Sequence, residues 1–523
     1  VDPGDATNRT VVTFVGEPEP VKEAAFVCIK KAAEVIDMRN HKGAHARSGA
    51  TDVCPFVPVS GVTMEDCAKM AHEVGERVGK ELDIPVYFYE NAATKPENQN
   101  LAVVRAGEYE GLQERFENPD RQPDFGPAEW SEHVQKVGAT NISAREFLIA
   151  YNINLNTRDK KMAKNIALSI REQGRLKRDE NRKIMRDADG NKLRVPGIFT
   201  HCKAVGWYID EFNCAQISMN LTNCNITPAH KVFDKVCEMA AASGLRVTGS
   251  ELVGLLPKKA MTDAGKFFLK KQGKSAGVPE SELIRIAVQS MGLSELYQFK
   301  SEEKIIEYSI KTDAPKLVDL TVSGFADELS TDSPAPGGGS VAALAGSMAA
   351  ALGTMVANLT VGKKGMNEVW EEMKKVAEHG QILKDELLHF VDADTDAFNQ
   401  MMAAARLPKK TDEQIEARNL AMLEANKVGI NIPLSVMRTC AKVITILEAV
   451  AERGNPNSLS DAGVGALMLK SAILGASMNV SINLPGVEED IEFTKNVKDE
   501  VKQIEEATID HLTKFAHSVF KKL

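Results

Sequence analysis

Residues 333–360 read S-P-A-P-G-G-G-S-V-A-A-L-A-G-S-M-A-A-A-L-G-T-M-V-A-N-L-T, and two styles of chain meet there. Before this stretch, short β-rich runs alternate with helical ones. After it, every segment reads as helix. Two prolines and three consecutive glycines hold an irregular turn, and Ser340 is placed to N-cap the helix that follows. That helix is made almost wholly of small residues, so other backbones can approach it closely. Tight helix packing explains such a composition without any ligand. The alternative is that bare glycine N–H groups at the helix start cradle an anionic or planar polar group. Three glycines in a row fit neither a G-x-G-x-x-G fingerprint nor a Walker A loop.

Downstream, apolar periodicity predicts helices over 340–359, 366–405, 411–450, 458–483 and 487–523, with Pro433 interrupting or kinking the third. Their lengths and short connections, R-L-P-K-K and I-N-L-P-G, predict an antiparallel bundle. The second helix contains F-V-D-A-D-T-D-A-F at 390–398. Asp392, Asp394 and Asp396 imitate the start of a calcium loop, but Ala397 stands where glycine is needed and Ala403 where glutamate is needed. On a helix, Asp392 and Asp396 share a face while Asp394 points nearly opposite. A carboxylate turned toward an apolar bundle needs a partner or a task.

Upstream, strands are predicted at 10–15, 54–59, 85–90, 147–155, 205–209, 215–221 and 247–256, separated by amphipathic helices. R-N-H-K-G-A-H-A-R-S-G-A at 39–50 precedes the apolar strand C-P-F-V-P-V. His41 and His45 have the i, i+4 spacing of a helical zinc pair, but Lys42 replaces the glutamate of H-E-x-x-H and Gly43 opposes helix. The plain reading is a polar loop. Two histidines, an arginine and two glycines ahead of a buried strand instead point to a site, since function concentrates on loops held by rigid sheets. D-A-D-G-N-K within the basic stretch 174–203 is a hairpin-turn signal. Gly273-Lys274-Ser275 is not a P-loop, because Phe268 occupies the first glycine position.

At 523 residues the chain exceeds a single core. A net charge of −9 with 26% charged residues argues against general nucleic-acid binding. Eight cysteines without metal-type pairing suggest a reducing compartment and mostly buried thiols. Ser, Gly and Asn interrupt 341–359, so no apolar run is expected to reach the roughly 18 residues of a membrane span, and a soluble protein is expected. The chain begins at Val1 rather than Met.

S-P-A-P-G-G-G-S-V-A-A and its small-residue helix resemble the opening of the cyclodeaminase domain of the formiminotransferase-cyclodeaminase family, bifunctional folate enzymes of histidine breakdown. H-K-G-A-H-A-R-S-G-A-T-D-V-C-P-F at 41–56 is similar to the family's transferase signature, and V-G-W-Y-I-D-E at 205–211 and G-S-E-L-V-G-L-L-P at 249–257 also match. The resemblance implies an α/β formiminotransferase of two sheet-plus-helix, ferredoxin-like subdomains (1–143 and 144–310), a linker at 311–322 and an all-α helical-bundle cyclodeaminase at 323–523. In the family a strand and helix carrying a V-P-N-F-S-E-G-like motif precede D-x-x-x-x-T-N-R-T. Here only Val1 precedes that aspartate, Asp2, so a fragment or a misassigned start is expected. A single-activity folate enzyme or folate-binding scaffold is then the second reading.

By motif, His45 takes the transferase acid/base role, Asp2 its orienter, and Asp394 the cyclodeaminase role. Gly126, Pro127 and Gly138 match the family's folate-contacting segment, although 129–136 departs in sequence and length. Pro336, Gly337, Gly338, Gly339 and Ser340 are the expected folate cradle of the helical half. Arg47 enters on chemistry alone, because a guanidinium fork matches a glutamate carboxylate. The implied co-substrates are N-formiminoglutamate and polyglutamylated tetrahydrofolate, whose tails a basic 174–203 rim would attract, with no metal. A cytoplasmic homo-oligomer is expected, with dimeric helical-domain interfaces and an octameric ring as one arrangement, without nucleic acid or a membrane span. The dimer contact is expected on the face of Ala342, Ala345, Gly346, Ala349, Ala350 and Gly353.

Overall fold

The computed structural model describes residues 1–4, 8–43, 46–310 and 316–523, with the backbone alone described at 2–4. Its contacts divide it into two units: Val1–Met261 with Val288–Ile310, and Thr262–Ala287 with the helices after residue 316. The first unit opens on a hairpin, β1 (Asp2–Gly4) and β2 (Arg9–Val11), antiparallel with Gly4 opposite Arg9. The strand expected over 10–15 stops at Val11. Beyond it Val12, Phe14 and Val15 are exposed, and apolar residues without a neighbouring strand do not hold an extended ladder.

Helix α1 (Pro18–Val35) starts on a proline, tolerated in a first turn that needs no N–H partner. Helix α2 (Met64–Glu81) starts on a capping box in which Thr63 and Asp66 satisfy each other's backbone N–H. Strands β3 (Val53–Phe56), β4 (Val86–Glu90) and β5 (Thr140–Ala144) form a parallel sheet in the order β3-β5-β4. All five β5 residues are buried, as a central strand covered on both faces requires. Phe26, Val74, Val78, Phe88 and Ile142 fill one side; Tyr87, Tyr89, Leu112, Phe116 and Val134 fill the other.

The second sheet contains β6 (Ile149–Leu155), β7 (Cys202–Ile209), β8 (Cys214–Leu221) and β9 (Val247–Val253), with α3 (Lys160–Ile170) and α4 (Ala229–Ala242) between them in sequence. It is antiparallel throughout, in the order β9-β6-β8-β7. Alternation sends Tyr151, Ile153, Ile217 and Met219 to the face that meets the helices. The other face carries a polar chain: Trp207 donates to Gln216 (2.8 Å), Gln216 to Asn154 (2.8 Å), and Asn152 to Glu251 (2.8 Å). The turn of the basic stretch closes as expected, with Asp187 Oδ1 accepting from the N–H groups of Asp189 and Asn191.

In the second unit five long helices follow the glycine-rich turn: α5 (Gly338–Thr360), α6 (Trp370–Ala405), α7 (Asp412–Arg453), α8 (Leu459–Asn483) and α9 (Ile491–Lys522). Helix α7 runs without a break through Pro433, which is buried, so of the expected interruption or kink the interruption does not occur. Helix α5 packs against α6, α7 and α8. A Cβ on Gly346 would lie 2.6 Å from Cys440 Sγ, and one on Gly353 2.8 Å from Ile446 Cγ2. The small-residue face expected to meet a second copy is therefore spent on α6, α7 and α8 of the same chain. Thr262–Ala287 also joins this unit, where Asn358 donates to the Gly277 carbonyl (2.7 Å).

Two further expectations are corrected. Helix α5 and the 456–487 stretch are both long and apolar enough to cross a membrane by length and composition, because Gly and Ser subtract little hydropathy. At least half of each most-apolar window is nevertheless buried inside the unit, as for a core helix. Of the eight thiols, Cys67, Cys202 and Cys440 are buried, Cys28 is exposed and the rest are half-buried.

Two candidate active sites

The first site surrounds the loop 39–50. His45 lies outside the described residues, and Asp2 is described only as backbone opposite Val11. The loop on either side of His45 is held from several directions. His41 Nε2 is 2.8 Å from the Asn8 carbonyl oxygen, and Asn8 Nδ2 donates to the Lys42 carbonyl (2.8 Å). Arg105 donates to the Ala46 carbonyl (3.3 Å) and pairs with Asp52 (3.1 Å), while Asp52 Oδ1 accepts from the Ser48 N–H (3.0 Å). Ala139 N–H donates to Ser48 and Ala50 N–H to Val137, closing a backbone bridge between Gly49 and Gly138.

That bridge explains Gly138 without a ligand. Its φ is +70°, and a Cβ there would sit 2.4 Å from the Ser48 carbonyl oxygen. Gly126 is similar: φ is +81° and a Cβ would meet the Ile84 carbonyl oxygen at 2.2 Å. Pro127 beside it is half-buried. Both glycines are thus required by backbone approach, whatever else the segment does.

Arg47 does not wait as an empty fork. Its guanidinium donates to both carboxylate oxygens of Glu110 (2.6 and 2.9 Å) and to Glu108 (3.2 Å), and Arg47 Nε reaches His41 Nδ1 at 3.4 Å. The bond to Arg47 holds the Glu110 carboxyl below the usual carboxylate range. An incoming carboxylate must therefore exchange with one already bound. Glu108 and Glu110 stand in R-A-G-E-Y-E-G-L, and nothing in that string signals their partner 61 and 63 residues earlier.

The second site lies where the glycine-rich turn meets α6. Gly337 precedes the first turn of α5 without any side-chain cap, so Ser340 is not the N-cap. It is instead the third helical residue, and its buried hydroxyl turns to α6, donating to the Val391 carbonyl (2.8 Å) and standing 3.3 Å from Asp394 Oδ2 and from Thr395 Oγ1. Asp394 lies so close to the turn that a Cβ on Gly339 would be 2.1 Å from its Oδ1. Burial pushes the Asp394 carboxyl above the ordinary range, against the downward pull of the Ser340 hydroxyl and N–H. The other aspartates differ. Asp392 accepts from the Leu317 N–H (2.6 Å), anchoring the segment ahead of the turn, and Asp396 is exposed. Pro336 is buried and Gly338 exposed, with Asn479 of α8 next to Gly338. The sequence reading missed Asn479, which carries no local signal.

A carboxyl group whose hold on its proton is strengthened by burial, set against the start of helix α5, can exchange a proton with a bound amine. Gly339→Ala tests how tightly the turn and Asp394 are coupled. Alanine favours helix by about 1 kcal/mol over glycine, so the bundle should not melt earlier for lack of helix propensity. The added methyl must displace the carboxylate, and chemistry at this site is expected to fall at least about tenfold. Thermal unfolding and turnover, measured together, separate the two effects.

An α/β unit and a helical unit, each with its own candidate acid/base residue, define a chain of two activities. The chain belongs to the formiminotransferase-cyclodeaminase family. It matches in order the formiminotransferase domain, N-terminal subdomain (1–145), the formiminotransferase domain (150–311) and formiminotransferase-cyclodeaminase (321–503). It is 42% identical over 509 residues to the formimidoyltransferase-cyclodeaminase of Gallus gallus, covering 97% of this chain and 90% of that protein. The glutamate formimidoyltransferase of Thermoplasma acidophilum is 41% identical over 272 residues, 52% of this chain and 81% of its own length. The methenyltetrahydrofolate cyclohydrolase of Methylorubrum extorquens is 40% identical over 169 residues, 32% of this chain and 81% of its own length.

Proposed function

We propose that the chain catalyses two consecutive steps of histidine degradation. The formimino group passes from N-formiminoglutamate to N5 of tetrahydrofolate, releasing glutamate. The product then cyclises to 5,10-methenyltetrahydrofolate with loss of ammonia. The observation that carries this reading is the match, over 97% of the chain, to a relative that bears both activities in its name.

In the first step N5 attacks the formimino carbon, and the tetrahedral adduct collapses when the bond to the glutamate nitrogen breaks. One proton must leave N5 and one must reach glutamate. His45 exchanges both, since an imidazole with a pKa near ~6.5 can give and take protons at neutral pH. Asp2 orients it, and Arg47 receives a substrate carboxylate by exchange with Glu110. In the second step N10 attacks the same carbon. Asp394 takes the N10 proton, and the nitrogen that departs as ammonia is protonated as its bond to carbon breaks. Residues 336–340 hold the folate against Asp394, with Gly126, Pro127 and Gly138 in the transferase segment shaping the first folate site.

The finer parts of the reading have separate supports. The element order β-α-β-β-α-β with strand order 4-1-3-2 supports a ferredoxin-like fold for the second sheet. The first sheet's three parallel strands support only a sheet backed by helices. Polyglutamylated folate suits the basic stretch 174–203. A cytoplasmic homo-oligomer follows the family resemblance. Its helical dimer contact is assigned to the face of α5 and α8 that α7 leaves open: Val341, Met348, Met355 and Leu359 with Leu467, Met478 and Ile482, all exposed. Met478→Glu with Ile482→Glu is expected to convert the oligomer to a smaller species in light scattering. An unchanged mass would move the contact elsewhere.

The decisive assay follows both half-reactions with purified protein, tetrahydrofolate and N-formiminoglutamate. Glutamate, ammonia and the methenyl chromophore are each expected. Glutamate without ammonia, or ammonia only from supplied 5-formiminotetrahydrofolate, would reduce the chain to one activity. Neither product would leave a folate-binding scaffold.

A further inference from the structure

We infer that Asn479 of α8 is a substrate-binding residue for the cyclisation step, its side-chain oxygen accepting a hydrogen bond from the formimino nitrogen. This rests on the reading of Asp394 and the glycine turn as the cyclodeaminase site. Helices α5 and α8 run antiparallel, and a Cβ on Gly475 would lie 3.3 Å from the Cβ of Ala342, so the two touch there. One turn further on each helix, a Cβ on Gly338 would meet Asn479 Nδ2 at 3.4 Å and Oδ1 at 3.9 Å, and no other group beyond its own turn within 4 Å among the described residues. A Cβ on Gly337 would meet only the Pro334 carbonyl oxygen, at 3.9 Å. Gly339, by contrast, is covered by Asp394. Helix α6 thus brings a carboxyl and α8 a carboxamide to adjacent glycines, whose Cα atoms are about 3.8 Å apart, and the turn beside them is open.

Other asparagines in this part of the bundle have structural work. Asn483 donates to the Gly429 carbonyl of α7 (2.9 Å), and Asn426 of α7 donates to the Gly486 carbonyl just after α8 (3.0 Å). Asn479 bonds to no other helix. Its Nδ2 donates to the Gly475 carbonyl on its own helix (2.8 Å), and its Oδ1 accepts from no group among the described residues. Asparagine is a poor residue for a helix interior, and a half-buried amide with an unused acceptor is costly. Helix packing gives no account of it, whereas a ligand on the glycine turn does. In 5-formiminotetrahydrofolate two carbons separate N5 from N10, and the formimino carbon closes the ring between them. A base at N10 therefore works beside the formimino nitrogen. That nitrogen carries an N–H in the amidine, in the adduct and as it departs, so one acceptor can hold it throughout. A 5-formyl group presents oxygen in its place and has no proton to donate.

Substitution at Asn479 in the full chain tests this. Asn479→Leu removes the acceptor at similar size, Asn479→Ala removes it with the least steric risk, and both residues favour helix more than asparagine does. Asn479→Asp keeps an oxygen. Ammonia release from supplied 5-formiminotetrahydrofolate is measured with the Ki of 5-formyltetrahydrofolate, glutamate release and thermal unfolding. Asn479→Leu and Asn479→Ala are expected to lower kcat/KM for ammonia release about 10- to 100-fold, as for a lost hydrogen bond to a charged group. The Ki of the 5-formyl compound should stay within about threefold, since it makes no such bond. Asn479→Asp should remain at least about fivefold faster than Asn479→Leu, and glutamate release should be unchanged. Asn483→Leu, which loses only a tie between helices, should lower Tm and keep kcat/KM within about threefold. With Asp394→Asn inactive, three results would each overturn the assignment of Asn479 alone: a parental kcat/KM for Asn479→Ala, a 5-formyl Ki that weakens as much as the rate falls, or an equal loss in Asn483→Leu. Parental ammonia release by Asp394→Asn would overturn the reading of the site, and this inference with it.

Discussion

Asp394→Asn is expected to stop ammonia release, by roughly 10²- to 10⁴-fold, while glutamate release continues and 5-formiminotetrahydrofolate accumulates. Asparagine keeps the shape of the aspartate and an oxygen able to accept from Ser340, but it cannot take a proton from N10. The same change is expected to stabilise the helical unit at neutral pH. Burial raises the Asp394 pKa in the folded chain, so the folded state holds this proton more tightly than the unfolded state does. The resulting stabilisation is fully present below the unfolded carboxylate's pKa and is lost as pH rises through the raised folded value. Above that value a half-buried charge works against folding, and the neutral asparagine removes it. The Tm of the variant should therefore exceed the parent's near neutrality, and the difference should shrink in acid.

The acid limb of ammonia release should also lie above that of an ordinary carboxylate, because protonation silences the base. Asp396→Asn, at an exposed position, should change neither rate nor Tm. Asp392→Asn retains an acceptor for the Leu317 N–H and should keep ammonia release. Parental ammonia release by Asp394→Asn, or a control that is the one to fail, would show that the carboxylate has been misassigned.

What the sequence could and could not reveal divides by range. Most of the strands, the five bundle helices and the 187–191 turn are local properties of period and turn chemistry, and they appear within a few residues of their predicted places; β1 and β5, the central strand of the first sheet, were not among the predicted strands. Asp394 against the glycine turn came by resemblance. Helical spacing only set its face apart from that of Asp392 and Asp396, without saying which face meets the turn. Ser340 was misread because a serine before a helix resembles a cap. Its hydroxyl instead found acceptors on α6, some 51 residues away, that no local rule contains.

Small residues on α5 predict a close neighbour but carry no information on whether that neighbour belongs to the same chain. Here Cys440 and Ile446 supply it. Arg47 was chosen for its fork, yet sequence spacing could not show that Glu108 and Glu110 already fill that fork. Gly126 and Gly138 came by resemblance as ligand contacts, and the structure gives each a sufficient backbone reason. Motif position alone does not distinguish a glycine that admits a ligand from one that admits another strand.

His45→Ala is expected to lose roughly 10²- to 10⁴-fold in glutamate release, the range that a positioned general acid/base contributes. The adduct formed at the formimino carbon cannot collapse forward until the glutamate nitrogen is protonated. Without the imidazole, solvent must deliver that proton, and the adduct reverts more often than it proceeds. In the proposed reading N-formiminoglutamate is held by groups other than this ring, with Arg47 assigned to its carboxylate, so the loss should appear in kcat with little change in KM. Cyclodeamination of supplied 5-formiminotetrahydrofolate provides the internal standard, since its proposed base, Asp394, belongs to the other unit. The two variants are expected to be complementary. His45→Ala mixed with Asp394→Asn should restore formation of the methenyl product from N-formiminoglutamate, because the intermediate released by one protein is substrate for the other. A His45→Ala variant that stays folded and releases glutamate at the parental rate would sink the assignment. A variant that loses both activities would show that the loop supports the fold and not the chemistry.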